Sequence, residues 1–433
     1  MMSSCPASGP LALSAITAAA DPHQHYQRLR AQWGPVARVE LEAGIGAWLV
    51  MGWSEIKTIC CDERLYSRDG RQWAAWQSGQ VPPDSPLGPL MFWRPNVIGY
   101  DGAEHRRLRR PLEAAMAAVD QRRLRRHVQA TCRELIREFA ARGRADLLAD
   151  YARAVPLRAL AAEFGLPAEQ GDELLAALSA LFGSAEDAQA GNHTFETLLR
   201  AVMHERRAAP AADLTTTLLT HPDLQSDDEI HQTMVVLIGA AQEATTIWIA
   251  RTLTLMLTDA RFAGQLRGGR LSVDEALDEV LWRDPPMTHM PARYALADTE
   301  LGGQLIRRGD ALILGLAAAN SDPAIHTDNP DLELGNRAHM GFSAGPHRCP
   351  ARDPARVITR TAVETALNQL PGIRLELHPE EITVRPSPWN RCPTSLPVRF
   401  TPTADITDLT GYIRGTTQAP PATCPAHSPE VHP

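Results

Sequence analysis

The stretch GFSAGPHRCPAR, residues 341 to 352, presents Cys349 behind Gly345, Pro346 and His347 and ahead of Pro350. Pro350 suits a first helical position, and Pro371 with Gly372 suits the end of the same helix. A cysteine just before a helix meets unpaired backbone N–H groups and the positive end of the macrodipole, so its thiol pKa should fall. Thiolates in such places are nucleophiles or metal ligands. For a nucleophile, His347 lies only two residues away and no nearby carboxamide or carboxylate is at hand to orient it. For zinc, the second pair of ligands is missing. An axial thiolate to haem iron needs a single protein ligand, on a loop whose backbone can come close to the porphyrin, and Gly345 provides that freedom.

The chain around this loop has 433 residues, 44% hydrophobic and 22% charged, enough for one large core or two ordinary ones and for a cavity around a cofactor. No apolar run approaches the ~18 residues that span a bilayer. The first residues, MMSSCPASGPLALSAITAAA, lack the basic start of a secretory signal, so the expectation is a cytoplasmic protein without a membrane segment. The seven cysteines are scattered, with neither a disulfide framework nor a zinc spacing. A net charge of −8 argues against nucleic acid. Lys57 is the only lysine, so nearly all the positive charge is arginine.

Residues 1–20 and 403–433 are small, polar and proline-rich, and are expected to be loosely held ends of a single domain over 21–402. DPHQHYQRLRAQ reads as a short helix and VARVELEAGIGAWLVMG as strand, turn, strand. From about Glu104 to Asp259 the pattern is mostly helical, and from Leu296 short strand signals return. A capping box of Ser226 and Glu229 opens a long helix to Leu257, ~45 Å at 1.5 Å per residue. Ser272 and Glu275 open another, which Pro285 stops. The fold class is mainly α, an α+β domain with small peripheral sheets.

With these elements in place, the cysteine stretch resembles the haem loop of the cytochrome P-450 family, Phe-x-x-Gly-x-His-x-Cys, at Phe342, Gly345, His347 and Cys349. DGAEHRRLRRPL is similar to the family's helix that turns a His and an Arg toward the haem propionates, here His105 and Arg109, four apart on one helical face. PARYALADTELGGQLIRRGDALILGLAAANSDP and CPTSLPVRF match later segments, with Arg293 at a further propionate position, and the resemblance covers roughly residues 21 to 400. It implies haem b (iron protoporphyrin IX) between the long central helix and the cysteine-loop helix, with Cys349 as axial ligand and Ala241, Phe342 and Gly345 beside the cofactor. It further implies a soluble actinobacterial monooxygenase fed by a ferredoxin or flavodoxin. DQRRLRRH with Arg348 and Arg352 offers a basic patch for such an acidic donor.

Two departures from the family stand out. Its Ala-Gly-x-acid-Thr over the distal face reads here Ala240, Ala241, Gln242, Glu243, Ala244. The carboxylate of Glu243 remains for proton delivery, while Thr245 stands about 100° round the helix and Gln242 is left to order water. The Glu-x-x-Arg element keeps Glu279 but has Trp282 for its arginine, and Asp331 stands where the later loop should supply another. Glu279 then needs a new partner, with Arg283 at i+4 or the Trp282 indole N–H as candidates. The pocket is expected to be apolar and aromatic, lined by Trp73, Trp76, Phe92, Trp93, Ile238, Met287, Thr288 and Trp389, the loop tryptophans serving either as roof or as anchors of their own loop. Alternatives to oxygen insertion are a peroxide-using, coupling or rearranging haem enzyme, suggested by Ala244, and a non-catalytic haem or ligand-binding member, suggested by the missing arginines.

Overall fold

The computed structural model describes residues 10–180, 185–263, 272–327 and 336–403. Leu11–Ala12 (β1) pairs in parallel with Val36–Glu42 (β2), and Leu13–Ala18 (α1) buries Leu13 and Ile16. Residues 10–20 are therefore held, contrary to the loose end expected there, because their partner strand lies far along the chain. Asp21 accepts from the His23 N–H and caps Pro22–Trp33 (α2). A partly alternating stretch then gives β2, and a run buried from Ala47 to Val50 gives its antiparallel neighbour Ile45–Val50 (β3), whose other side pairs with a later strand.

Trp53–Cys61 (α3), Tyr66–Ser67 (β4), Ala74–Gln77 (α4) and Gly88–Met91 (α5) lead to a run of helices. These are Gly102–Ala118 (α6), Gln121–Phe139 (α7), Ala154–Glu163 (α8), Ala168–Ala180 (α9), Ala185–Ala208 (α10), Leu214–Leu219 (α11) and Asp227–Thr258 (α12). Arg144–Asp146 (β5) interrupts the helical stretch between α7 and α8. After Ala260–Ala263 (α13) and Val273–Arg283 (α14) the strands return at His289, earlier than Leu296. They are His289–Ala295 (β6), Thr299–Leu301 (β7), Gln304–Ile306 (β8) and Ala311–Gly315 (β9). Leu316–Asn320 (α15), Arg352–Gln369 (α16), Arg374–Leu375 (β10) and Pro397–Arg399 (β11) complete the described elements. The main sheet runs β1-β2-β3-β9-β6-β4, beside β10-β11-β5 and the hairpin β7-β8. The fold is the helix-rich α+β arrangement expected.

Capping explains the two helices that frame the site. At α14 both halves of the box form between Ser272 and Glu275. At α12 only half forms: Ser226 accepts from the Glu229 N–H at 3.2 Å, while the Glu229 carboxylate turns to the Gln225 N–H at 2.7 Å and to Arg107 at 2.7 Å. The third helix starts at Arg352 with Ala351 as its cap, so Pro350 lies in the preceding turn rather than at the first helical position. Pro371 and Gly372 do follow its end. With a mean hydropathy of 1.4 over an 18-residue window, α12 is long and apolar enough to cross a membrane, contrary to expectation. Its sides pack instead on α8, α14 and α16. The main helical core gathers Val128, Ile136, Leu157, Ile249 and Ala362, and the sheet cores gather Val39, Leu49, Ile313 and Leu314.

Candidate active site

The loop before α16 is clamped on both sides. Met340 is buried in a sheet core, and the Phe342 ring meets Trp248 of α12 at 5.7 Å, edge to face. The Cys349 N–H donates to the Phe342 carbonyl at 3.0 Å and that of Arg348 to Gly345 at 3.1 Å, closing the turn. Gly345 has φ +69, and a Cβ there would come within 2.2 Å of the Cys60 carbonyl oxygen of α3. Its freedom thus serves the approach of the loop to α3, a use the sequence alone did not indicate. Ser343, at φ 59, is the one described non-glycine residue with positive φ, and backbone strain at this loop is what a functional constraint produces.

Cys349 itself is exposed. The lowered thiol pKa expected from the helix end is not found: surrounding protein pushes the thiol up, and the Ala351 N–H and the charges of Arg109 and Arg352 oppose this with smaller effect. The helix begins three residues after the cysteine rather than at the next residue, which puts the positive end of its dipole further from the sulfur than expected.

Around the same end of the molecule, cations are buried with too few anions. His105 and Arg109 are both buried on one face of α6, as their spacing predicts. Neither ring nitrogen of His105 has a hydrogen-bond partner among the described residues. Arg109 reaches Glu113 at 3.0 Å. Arg293, in β6, is only 2% exposed and meets the Ala292 carbonyl at 3.2 Å and the Cys60 sulfur at 4.0 Å, with no carboxylate partner among the described residues. Arg68, which sequence reasoning missed, donates to the Pro291 and Ala292 carbonyls. Burial and the charge of Arg293 lower its pKa to about 10. His347 stacks on His105 with ring centroids 3.9 Å apart and pairs with Asp101 at 3.2 Å. Burial pushes its pKa down to about 3, so it is a neutral hydrogen-bonding group rather than a cation. Three arginines and an unpartnered histidine held around two carboxylates suit a ligand that brings anions of its own, as the two propionates of haem would.

The centre of α12 is open on one side. Gly239 and Ala240 are exposed in mid-helix, and a Cβ on Gly239 would meet nothing within 4 Å. Ala241 and Thr245 instead share a narrow cleft with Ala351, Pro354 and Ala355 at the start of α16. Thr245 thus lies on a different side of α12 from Gly239 and Ala240, facing the start of the cysteine-loop helix together with Ala241. Gln242 donates to the Arg153 carbonyl at 2.7 Å, so it points to α8 rather than ordering water over the open face. Glu243 accepts from Arg385.

Below α12, Glu279 pairs with Arg283 at 3.2 Å, as the i+4 spacing allowed, and with Arg261 at 3.1 Å, which was not foreseen. The Trp282 indole N–H goes to the Asn336 carbonyl at 2.8 Å and not to Glu279. Asp331 lies outside the described residues. Several pocket expectations also change. Trp73 and Trp389 are buried in a sheet core, Ile238 in the helical core, and Thr288 is fully buried, so none of the four faces open space. Trp93 anchors its own loop through the Gly99 carbonyl at 3.0 Å, under the Arg71 guanidinium. Trp76, stacked on Phe92 at 4.2 Å, remains half-buried, as does Met287.

No family model matches the chain. It is 30% identical over 395 residues to 2-hydroxy-5-methyl-1-naphthoate 7-hydroxylase of Streptomyces carzinostaticus, covering 88% of this chain and 95% of that one. It is 27% identical to the cytochrome P-450 monooxygenase PikC of Streptomyces venezuelae over 393 residues, 88% and 92% of the two chains. Among solved structures, CYP154C4 from Streptomyces sp. ATCC 11861 superposes with a TM-score of 0.80 at 25% identity, over 91% of this chain and 98% of the other.

Proposed function

Because this chain belongs to the cytochrome P-450 family and is a haem monooxygenase of that family, we propose that it inserts one oxygen atom into a small, largely apolar molecule bearing a ring, with haem b as its cofactor. The observation that carries this reading is Cys349 on a clamped loop beside a buried cationic cluster short of anions. Haem, when bound, supplies the iron at which dioxygen is reduced and from which one oxygen atom is transferred. In this proposal Cys349 would bind the iron through its sulfur, while Arg68, Arg109 and Arg293 would hold the propionates with His105. His347, bonded to Asp101, keeps the His105 ring in place by stacking.

On the open face of α12, Glu243 passes the proton that the reaction consumes through the oxygen not engaged by Arg385. Trp76, Phe92 and Met287 supply apolar surface, in keeping with the naphthoate in the name of one relative. Electrons come from a ferredoxin or flavodoxin in the cytoplasm, docking near Cys349. Arg122, Arg126 and Arg348 support this: they are exposed, and no ion pair among the described residues holds them. Arg123 and Arg125 are already paired with Glu163 and Glu364. The domain is proposed to run from Leu11 to Thr403, since α1 belongs to its core.

The absorption spectrum of the reduced carbon monoxide adduct tests the ligand. Wild type is expected to give the long-wavelength thiolate band, and Cys349→Ser to lose it with the secondary structure unchanged. An unaltered spectrum in that variant would remove Cys349 from the site.

A further inference from the structure

Resting on the monooxygenase reading, the charge of the substrate can be addressed. At 100° per residue Glu243 lies about 40° round α12 from Gly239 and about 60° from Ala240, so it shares their open face. Arg385 reaches that face from a hairpin whose two sides are tied by the Arg385 N–H to the Cys392 carbonyl at 2.8 Å and the Thr394 N–H to Thr383 at 2.9 Å. The hairpin is fixed further along, where the buried Trp389 accepts from the His289 N–H at 3.0 Å. Among the described residues only one guanidinium nitrogen of Arg385 is engaged, by Glu243 Oε1, and the two side chains keep 42% and 37% of their surface open.

Arg385 differs in this from its neighbours. Arg251 holds the Arg391 carbonyl and Asp284, and Arg391 holds the Thr17 and Ala19 carbonyls and Asp284, so both pin backbone. Arg385 has no side-chain partner other than Glu243 among the described residues. It is presented by a rigid hairpin to an open helix face and retains unused donors.

We propose that Arg385 is a specificity-determining residue that receives the carboxylate of an arene-bearing substrate, taking it in place of Glu243. A guanidinium offers a planar fork that a free carboxylate can meet with both oxygens, whereas Glu243, fixed to α12, meets it with one. The exchange swaps one carboxylate for another, so no unbalanced charge is left beside Arg385. The released Glu243 is then free on the open face to hold and pass a proton, which links proton supply to occupancy by an anionic substrate. A neutral molecule of the same shape leaves the pair closed.

The test is calorimetric titration of the haem-loaded full chain with 1-naphthoate and with its neutral counterpart 1-naphthamide. The acid is expected to bind about 10-fold more tightly, ~1.4 kcal/mol. Arg385→Gln should erase the difference, Arg385→Lys should keep part of it, and Glu243→Gln should tighten the acid while leaving the amide unchanged. Equal affinities in wild type, a preference that survives in Arg385→Gln, or no binding of either probe overturns the proposal. The reduced carbon monoxide spectrum of the same samples reports separately. An intact thiolate band without acid preference overturns the carboxylate site alone, and a missing band in wild type overturns the monooxygenase reading beneath it.

Discussion

His289 has its proton assigned by its neighbours. Its Nδ1 lies 2.8 Å from the Pro388 carbonyl, which can only accept, so Nδ1 carries the hydrogen and Nε2 accepts from the Tyr26 hydroxyl at 2.8 Å. Burial lowers the pKa from 6.5 to about 4, with the Pro388 carbonyl opposing and the Arg391 charge adding to the effect. The unfolded chain therefore binds the extra proton more readily than the folded one between these values. Stability from this group is full above pH 6.5 and is lost as pH falls toward 4. About 2 kcal/mol should disappear between pH 7 and pH 5. Urea unfolding at the two pH values measures it, and His289→Asn should reduce the pH difference by that amount while lowering stability at pH 7. An unchanged difference would mean that His289 titrates normally.

At the next scale, α14 is joined to its surroundings by a residue adjacent to the one the family pattern highlights. Glu279 faces outward to the half-exposed Arg261 and Arg283, and such surface pairs contribute little. Asp278, one step round the helix and 13% exposed, takes Arg356 of α16 at 2.5 Å and Arg337 from the loop before the cysteine at 3.0 Å; Arg356 also reaches Asp274. These pairs tie α14 to the helix and loop that flank Cys349, which is the connection that the missing arginines would otherwise make. Asp278→Asn should cost about 1–2 kcal/mol in urea unfolding and speed haem loss, because Arg337 loses its carboxylate and Arg356 is left with Asp274 alone. Glu279→Gln should stay within about 0.5 kcal/mol. The reverse ranking would return the role to Glu279. The sequence made α12, α14 and the β2–β3 hairpin legible, since Ser226, Ser272 and the glycine turn between two strand-forming runs act within a few residues. It did not reveal the strand at Leu11, the Glu243–Arg385 pair or the burial of Trp73. Each depends on a partner far along the chain, and no local spacing encodes such a partner. The cysteine motif was legible in identity but not in electrostatics, because desolvation by the surrounding protein outweighs the Ala351 N–H and the charges of Arg109 and Arg352 at the thiol.

For the molecule as a whole, the net charge of −8 conceals a local excess of positive charge where the cysteine loop meets β6 and α6. Arg68 and Arg293 lie close enough for the charge of one to depress the pKa of the other. In the haem-free chain this repulsion and the desolvation of Arg293 both oppose folding. In the loaded chain the propionates reverse the sign, and haem that binds only the folded state adds stability by mass action, about 4 kcal/mol at a thousandfold excess over Kd. Arg293→Gln should therefore act in opposite directions in the two forms: a higher Tm than wild type without haem, and a lower Tm with weaker haem retention when loaded. Calorimetry of both forms decides. A residue that merely packs in β6 would lower both midpoints, and a residue with no bearing on the cofactor would shift them equally, so only a change of sign on loading is consistent with a buried cation kept for an anionic prosthetic group.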